Sequence, residues 1–113
     1  MARRLLYNGY KDKADRICIY TGQPYAERHE VFPGANRQIS IREGFQIDVC
    51  HDKHAELQAN ITPWAKTENL RWKRHFERQW LDTKMEKGLT EEQAVREWMS
   101  MIGRNYLDEI TPE

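Results

Sequence analysis

Two cysteines in 113 residues, Cys18 and Cys50, are too few to staple a small fold, which excludes a disulfide framework of the secreted mini-protein kind. No apolar run approaches the ~20 residues needed to cross a bilayer. Leu5-Leu6-Tyr7, following Arg3 and Arg4, is too short to be the core of a signal peptide. Bulk charge is missing as well: the formal net charge is zero, which argues against holding a polyanion through overall charge alone. With 39% hydrophobic and 32% charged residues, the chain has material for one small core under a densely charged surface. Its length suits a single domain, 1–113. Together these absences point to a soluble protein, cytoplasmic by default, with no membrane partner and with its cysteines as thiols or metal ligands.

What charge there is lies unevenly. Residues 1–16 carry Arg3, Arg4, Lys11, Lys13 and Arg16 against two Asp, a net of +3. Residues 66–80 carry Lys66, Arg71, Lys73, Arg74 and Arg78 against Glu68 and Glu77, again +3, and residues 82–113 balance them at −4. Two basic stretches and an acidic tail suit a nucleic acid bound at one end, or equally the solvated faces of ordinary helices.

The elements follow from local pattern. Residues 1–16 read as a basic arm. Ile17-Cys18-Ile19-Tyr20 alternates β-formers and stops at Thr21-Gly22-Gln23-Pro24, which predicts a strand and a turn. A second strand is expected from about Tyr25 to Val31, with His29 and Glu30 on opposite faces because side chains alternate. Phe32-Pro33-Gly34-Ala35-Asn36 breaks it, and Gln38 to Glu43 reads as one helical turn ended by Gly44. Phe45 to Cys50 alternates strictly enough for a half-buried strand, and Asp52 is placed to cap a short helix. From Pro63 to about Lys87 the pattern is helical, with Trp72, Phe76 and Trp80 as an apolar stripe destined for the core. Gly88 stops it. Thr90-Glu91-Glu92-Gln93 is a capping box, with Leu89 and Ala94 as its hydrophobic staple. Ala94, Val95, Trp98, Met99 and Ile102 form the buried face of a last helix ended by Gly103. His75 reads as a surface residue. The expected class is α+β: a hairpin-and-helix core over 17–58, then a helical part over 63–107.

The chemistry concentrates between Glu27 and His54. Glu27-Arg28-His29-Glu30-Val31-Phe32-Pro33-Gly34-Ala35-Asn36-Arg37 is followed by Cys50-His51-Asp52-Lys53-His54, so imidazoles and carboxylates bracket a Gly-containing loop. Hydrolysing a phosphodiester needs a Lewis acid at the phosphate and a base for the attacking water. A strand that carries a ligand beside a base, with a second ligand on a following helix, can present both. His29, Glu30 and His54 have that order.

These residues, with Ser40, Gly44 and Gly103-Arg104-Asn105-Tyr106-Leu107, resemble the HNH (ββα-metal) nucleases, in particular small phage and prophage proteins related to the RecA-dependent nuclease family. The resemblance covers residues 18–54 best. It implies a ββα-metal core, with His29 and His54 as ligands of a divalent ion (Mg or Mn, with Zn as a further option). It places the general base, normally a histidine, at Glu30, where a second ligand role or an ion pair with Arg28 or Arg37 competes. The asparagine that orients the base has no counterpart, because position 45 is Phe; Asn36 and Ser40 are the candidate substitutes. Arg37, Lys73 and Arg74 become candidate phosphate contacts.

Many such domains also hold a structural zinc on two Cys-x-x-Cys pairs. Here Cys18-Ile19-Tyr20-Thr21 and Cys50-His51-Asp52-Lys53 each keep only the first cysteine, and two thiolates do not close a tetrahedral site. Cys18 and Cys50 are therefore expected as neighbouring buried thiols, with a residual metal completed by His51 as the alternative. The implied function is a DNA endonuclease of phage replication or recombination in a bacterial cytoplasm, alongside a recombination protein and with a dimer open. The rivals are a catalytically degenerate module that binds nucleic acid or protein, and an interaction protein with no nucleic-acid role.

Overall fold

A computed structural model describes residues 15–107. Most of the basic arm expected over 1–16 and the last acids of the chain fall outside the described residues. Within them the protein is α+β: a two-stranded antiparallel sheet with four α-helices.

The sheet pairs β1 (Glu27–Glu30) with β2 (Gln46–Val49) in the register Glu27↔Val49, Arg28↔Asp48, His29↔Ile47 and Glu30↔Gln46. Alternation gives the two faces different work. On one face Arg28 donates to Asp48 and Gln46, and Gln46 donates to Glu30. The other face carries Glu27, His29, Ile47 and Val49. The expected separation of His29 from Glu30 is observed, although both strands are shorter than their apolar patterns.

A 3-10 turn (Gly34–Asn36) and α1 (Arg37–Glu43) join the strands, and Gly44 ends α1 in the left-handed conformation at φ 78°. Ser40 fastens this connection. Its hydroxyl donates to the Phe32 carbonyl at 2.9 Å and accepts from the Phe32 N–H at 3.0 Å, in a fully buried position. Asn36 reaches away from the sheet to the Ile102 carbonyl at 3.0 Å.

The helix α2 (His51–Ala59) starts two residues earlier than a cap at Asp52 would set it. Cys50 is its N-cap, with no side-chain bond, and Asp52 sits within the first turn. Asn60 closes it in the left-handed region at φ 53°. Thr62 caps α3 (Pro63–Glu86) by accepting from the Ala65 N–H, and the capping box of Thr90 and Gln93 opens α4 (Glu91–Ile102) as expected.

The core lies where the sheet's connection meets α3 and α4. Trp98 is fully buried, with the rings of Phe32, Phe45 and Trp80 at 5.5, 5.7 and 5.6 Å. Trp72, Phe76 and Trp80 pack against this cluster, as their spacing predicts. Met99, expected on the buried face of α4, is exposed; one helical face cannot hold both it and Trp98 against α3. Fully buried Glu77 of α3 accepts from the Tyr106 N–H at 2.8 Å, which ties down the segment after α4.

One element differs in kind. Residues 17–20 form no strand. Gly22 donates to the Cys18 carbonyl and Cys18 donates to the Gln23 carbonyl, so the chain folds back on itself as a tight turn. Only Ile19 reaches the sheet, through a bond from its N–H to the Asp48 carbonyl. The alternation is real but inverted: Ile17 and Ile19 face solvent at 52% and 50% exposure, while Cys18 is buried.

Replacing Ser40 by Ala strands two buried backbone groups of Phe32. The expected loss is about 2–3 kcal/mol in urea unfolding, with the circular dichroism of the folded state unchanged.

Candidate metal centre

β1 and α2 bring the two key histidines together. The ring centroids of His29 and His54 are 5.3 Å apart with planes at 75°. Two imidazoles bonded to one ion at ~2.0–2.1 Å in tetrahedral geometry have centroids roughly 5 Å apart. The spacing therefore fits a shared cation.

The His54 ring is also oriented from behind. His54 Nδ1 lies 2.7 Å from Glu27 Oε1, and His51 Nδ1 lies 2.9 Å from the other oxygen, Oε2. A carboxylate only accepts, so the His54 Nδ1 carries a proton, and in the neutral ring Nε2 is the nitrogen with the lone pair. These bonds, His54's first and then His51's, hold the Glu27 carboxyl below its usual range.

Asn69, on α3, lies near His29 and favours its protonated form. The Asn69 amide nitrogen donates at 2.9 Å both to the Leu57 carbonyl and to Asn60 Oδ1. Both amide hydrogens are thereby used, and the Asn69 oxygen can only accept. A neutral imidazole carries a proton on one ring nitrogen and a lone pair on the other. His29 is only 6% exposed, and burial pushes its pKa down to about 4; repulsion from His54 and Lys73 adds to this, while Glu30 and Asn69 oppose it. The imidazole is thus neutral at physiological pH, the form a metal requires.

The donor set is small. Among the described residues no group of three or more His, Cys, Asp and Glu side chains could surround one ion. Two imidazoles would be the protein's share, with water and substrate completing the shell.

Beside His29 opens a cleft of about 420 Å³, lined in part by Glu30, Arg37, Asn60, Asn69 and Lys73. Glu30 faces it from the opposite side of β1, its carboxylate accepting from Arg37 Nε at 3.2 Å and from Gln46 Nε2 at 3.3 Å. Of the three candidate phosphate contacts, Arg37 and Lys73 reach this cleft. Arg74 does not; its Nε donates to the Tyr106 carbonyl at 3.2 Å. Asn36 and Ser40, the substitutes for an orienting asparagine, are occupied by Ile102 and Phe32 instead. A larger groove of about 830 Å³ runs among side chains of α1, α3 and α4 and contains none of the histidines.

Cys18 and Cys50 are neighbours, as expected, but only Cys18 is buried. Burial raises the Cys18 thiol pKa; hydrogen bonds from the Thr21 side chain and from the backbone of Tyr20, Cys50 and Thr21 outweigh it and bring the pKa down to about 7. Lys53 turns away onto the Trp64 ring, 4.5 Å from its centroid, and His51 is largely solvated apart from Glu27. Hydrogen bonds thus fasten this turn.

Comparison with protein-family models, curated proteins and solved structures finds no match for this chain.

Two residues of the centre escape a reading of the sequence. Glu27 sits inside the informative run but looks like any surface acid, and only the register turns it toward α2. Asn69 lies on another helix, and no local signal points to it.

For the metal-free protein the sign of the pH dependence follows from His29. Its folded pKa, about 4, lies below the unfolded value of ~6.5, so the unfolded chain binds the proton more readily. Its contribution is present above pH 6.5 and is lost as the pH falls toward 4. Urea unfolding in a chelator is expected to lose about 2 kcal/mol between pH 7 and pH 5, and His29→Leu to flatten that slope.

Proposed function

We propose that the protein is a metal-dependent endonuclease of the HNH kind that cleaves DNA, with the ββα-metal arrangement built on β1, β2 and α2. The observation that carries this reading is the pair of imidazoles, 5.3 Å apart, with His54 held by Glu27, beside a cleft with cations. His29 and His54 would hold the ion, which when bound supplies Lewis acidity toward a phosphodiester.

The other roles belong to the chain's own side chains. Glu27 keeps the His54 ring in the tautomer that leaves a lone pair for metal. Arg37 and Lys73 neutralise the phosphodiester as it enters the cleft. Glu30 is the one carboxylate lining that cleft among the described residues, and it takes the proton of the attacking water once Arg37 has moved to the substrate.

One observation favours a second reading, a binding module without catalysis. Glu30 is already engaged by Arg37 and Gln46, so the candidate base is capped. Such a module would bind DNA in a salt-dependent way through the same cations.

Plasmid nicking separates the two. On the nuclease reading, Mg- or Mn-dependent nicking falls to background in His29→Ala and His54→Ala, and by about 10²–10⁴-fold in Glu30→Gln. On the binding reading no variant alters nicking, because none occurs, and Arg37→Ala with Lys73→Ala alone weakens retention on DNA. Nicking that survives the loss of both histidines refutes the proposed centre.

A further inference from the structure

We infer that the cleft beside His29 holds a single unpaired nucleotide, its base against the apolar wall and its phosphate toward Arg37 and Lys73, so that the substrate is DNA that is single-stranded or locally opened at the cut. This rests on the nuclease reading for its biological use but not for the binding event itself.

Size is the first argument. A cleft of about 420 Å³ lies in the range of small-molecule sites, ~300–1,000 Å³. A duplex, whose major groove alone is ~12 Å wide, does not enter it. One nucleotide does.

The lining is the second argument, because its chemistry is divided. Val31, Pro33 and Leu57 give an apolar wall, suited to the face of a base. Gln58 and Asn60, at the end of α2, give carboxamides at the rim, the side chains that pair with base edges. Asn60 already accepts from Asn69 through its Oδ1, so its amide hydrogens remain to donate. Gln58 has no hydrogen-bond partner among the described residues. Arg37 and Lys73 stand on α1 and α3, beside Glu30 and His29, where a phosphate would meet the proposed ion. A site for inorganic phosphate alone needs neither the apolar wall nor the two carboxamides.

The left-handed backbone of Asn60 supplies a clean variant. At φ 53° glycine is conformationally at ease, so Asn60→Gly removes the carboxamide without straining the end of α2. The test uses the full-length, metal-free protein in chelator. Titrations with the four 2′-deoxynucleoside 5′-monophosphates, deoxyribose 5-phosphate and inorganic phosphate are followed through side-chain amide resonances in NMR. The expected result is that at least one nucleotide binds about tenfold or more tighter than deoxyribose 5-phosphate, with shifts at Gln58, Asn60 and Asn69. Gln58→Ala combined with Asn60→Gly is expected to remove the preference among bases. Equal affinity for nucleotide and sugar phosphate overturns the inference, as does a base preference that survives in a double variant whose melting is unchanged. The two readings fail separately. Nucleotide binding without nicking sinks the nuclease and leaves the pocket, whereas nicking without nucleotide binding does the reverse.

Discussion

The Glu27 carboxylate, spanning His51 and His54, is the contact on which the candidate centre depends. A sheet of two four-residue strands is too small to be stable alone, and the first turn of α2 has no side-chain cap at Cys50. Glu27 joins the two, with one oxygen for each histidine. This works only in the observed register, which turns Glu27 and His29 to the same face while Arg28 and Glu30 go to the other. A slip of one residue would exchange the faces and aim Arg28 at His54. The cross-strand pairs Arg28 with Asp48 and Glu30 with Gln46 guard against that slip from the far side.

The long helix α3 supplies what so small a sheet lacks. Its Asn69 holds the Leu57 carbonyl and Asn60, closing the end of α2 beside the cleft that His29 also lines. Three residues along α3 from Asn69, the Trp72 indole N–H donates to the Tyr20 hydroxyl, which donates to Glu68. Burial pushes the Tyr20 pKa up to about 12, so it remains a donor across the whole accessible pH range. Arg71 closes the group by pairing with Glu68. The turn at Cys18 is therefore fixed to α3 by side-chain hydrogen bonds. Cys18 is buried within it.

The parts of the fold legible in the sequence are those with local causes. Gly44 ends α1 because a left-handed residue is needed there, and Thr90 with Gln93 closes a box within one turn. The stripe of Trp72, Phe76 and Trp80 declares its buried face by spacing alone. His29 and Glu30 part to opposite faces by strand geometry. Failures occur where a distant partner decides. Ile17 to Tyr20 alternates like a strand, yet the Cys18 N–H bonds locally to Gln23, so only Ile19 is left to meet β2. Asp52 is a good capping residue, but the strand runs directly into the helix and Cys50 takes the position. Asn69 is forty residues from His29 in a helix rich in charge, where a lone asparagine carries no mark of its role.

The pair of Glu30 and Arg37 bears on how a carboxylate could stand where an imidazole base is usual. An imidazole gains or loses its proton near neutrality unaided, whereas a carboxylate held by a guanidinium is stabilised as an anion and is a weaker base. The two partners differ in freedom: the Arg37 side chain is 59% exposed, that of Glu30 only 16%. Exposed pairs of this kind contribute ~0–1 kcal/mol, so separating them costs little. A phosphodiester entering the cleft is a second anion and a better match for a guanidinium, which binds phosphate in a fork. On the proposed reading the substrate therefore draws Arg37 off and leaves Glu30 between Gln46 and the incoming water, beside two further anionic oxygens.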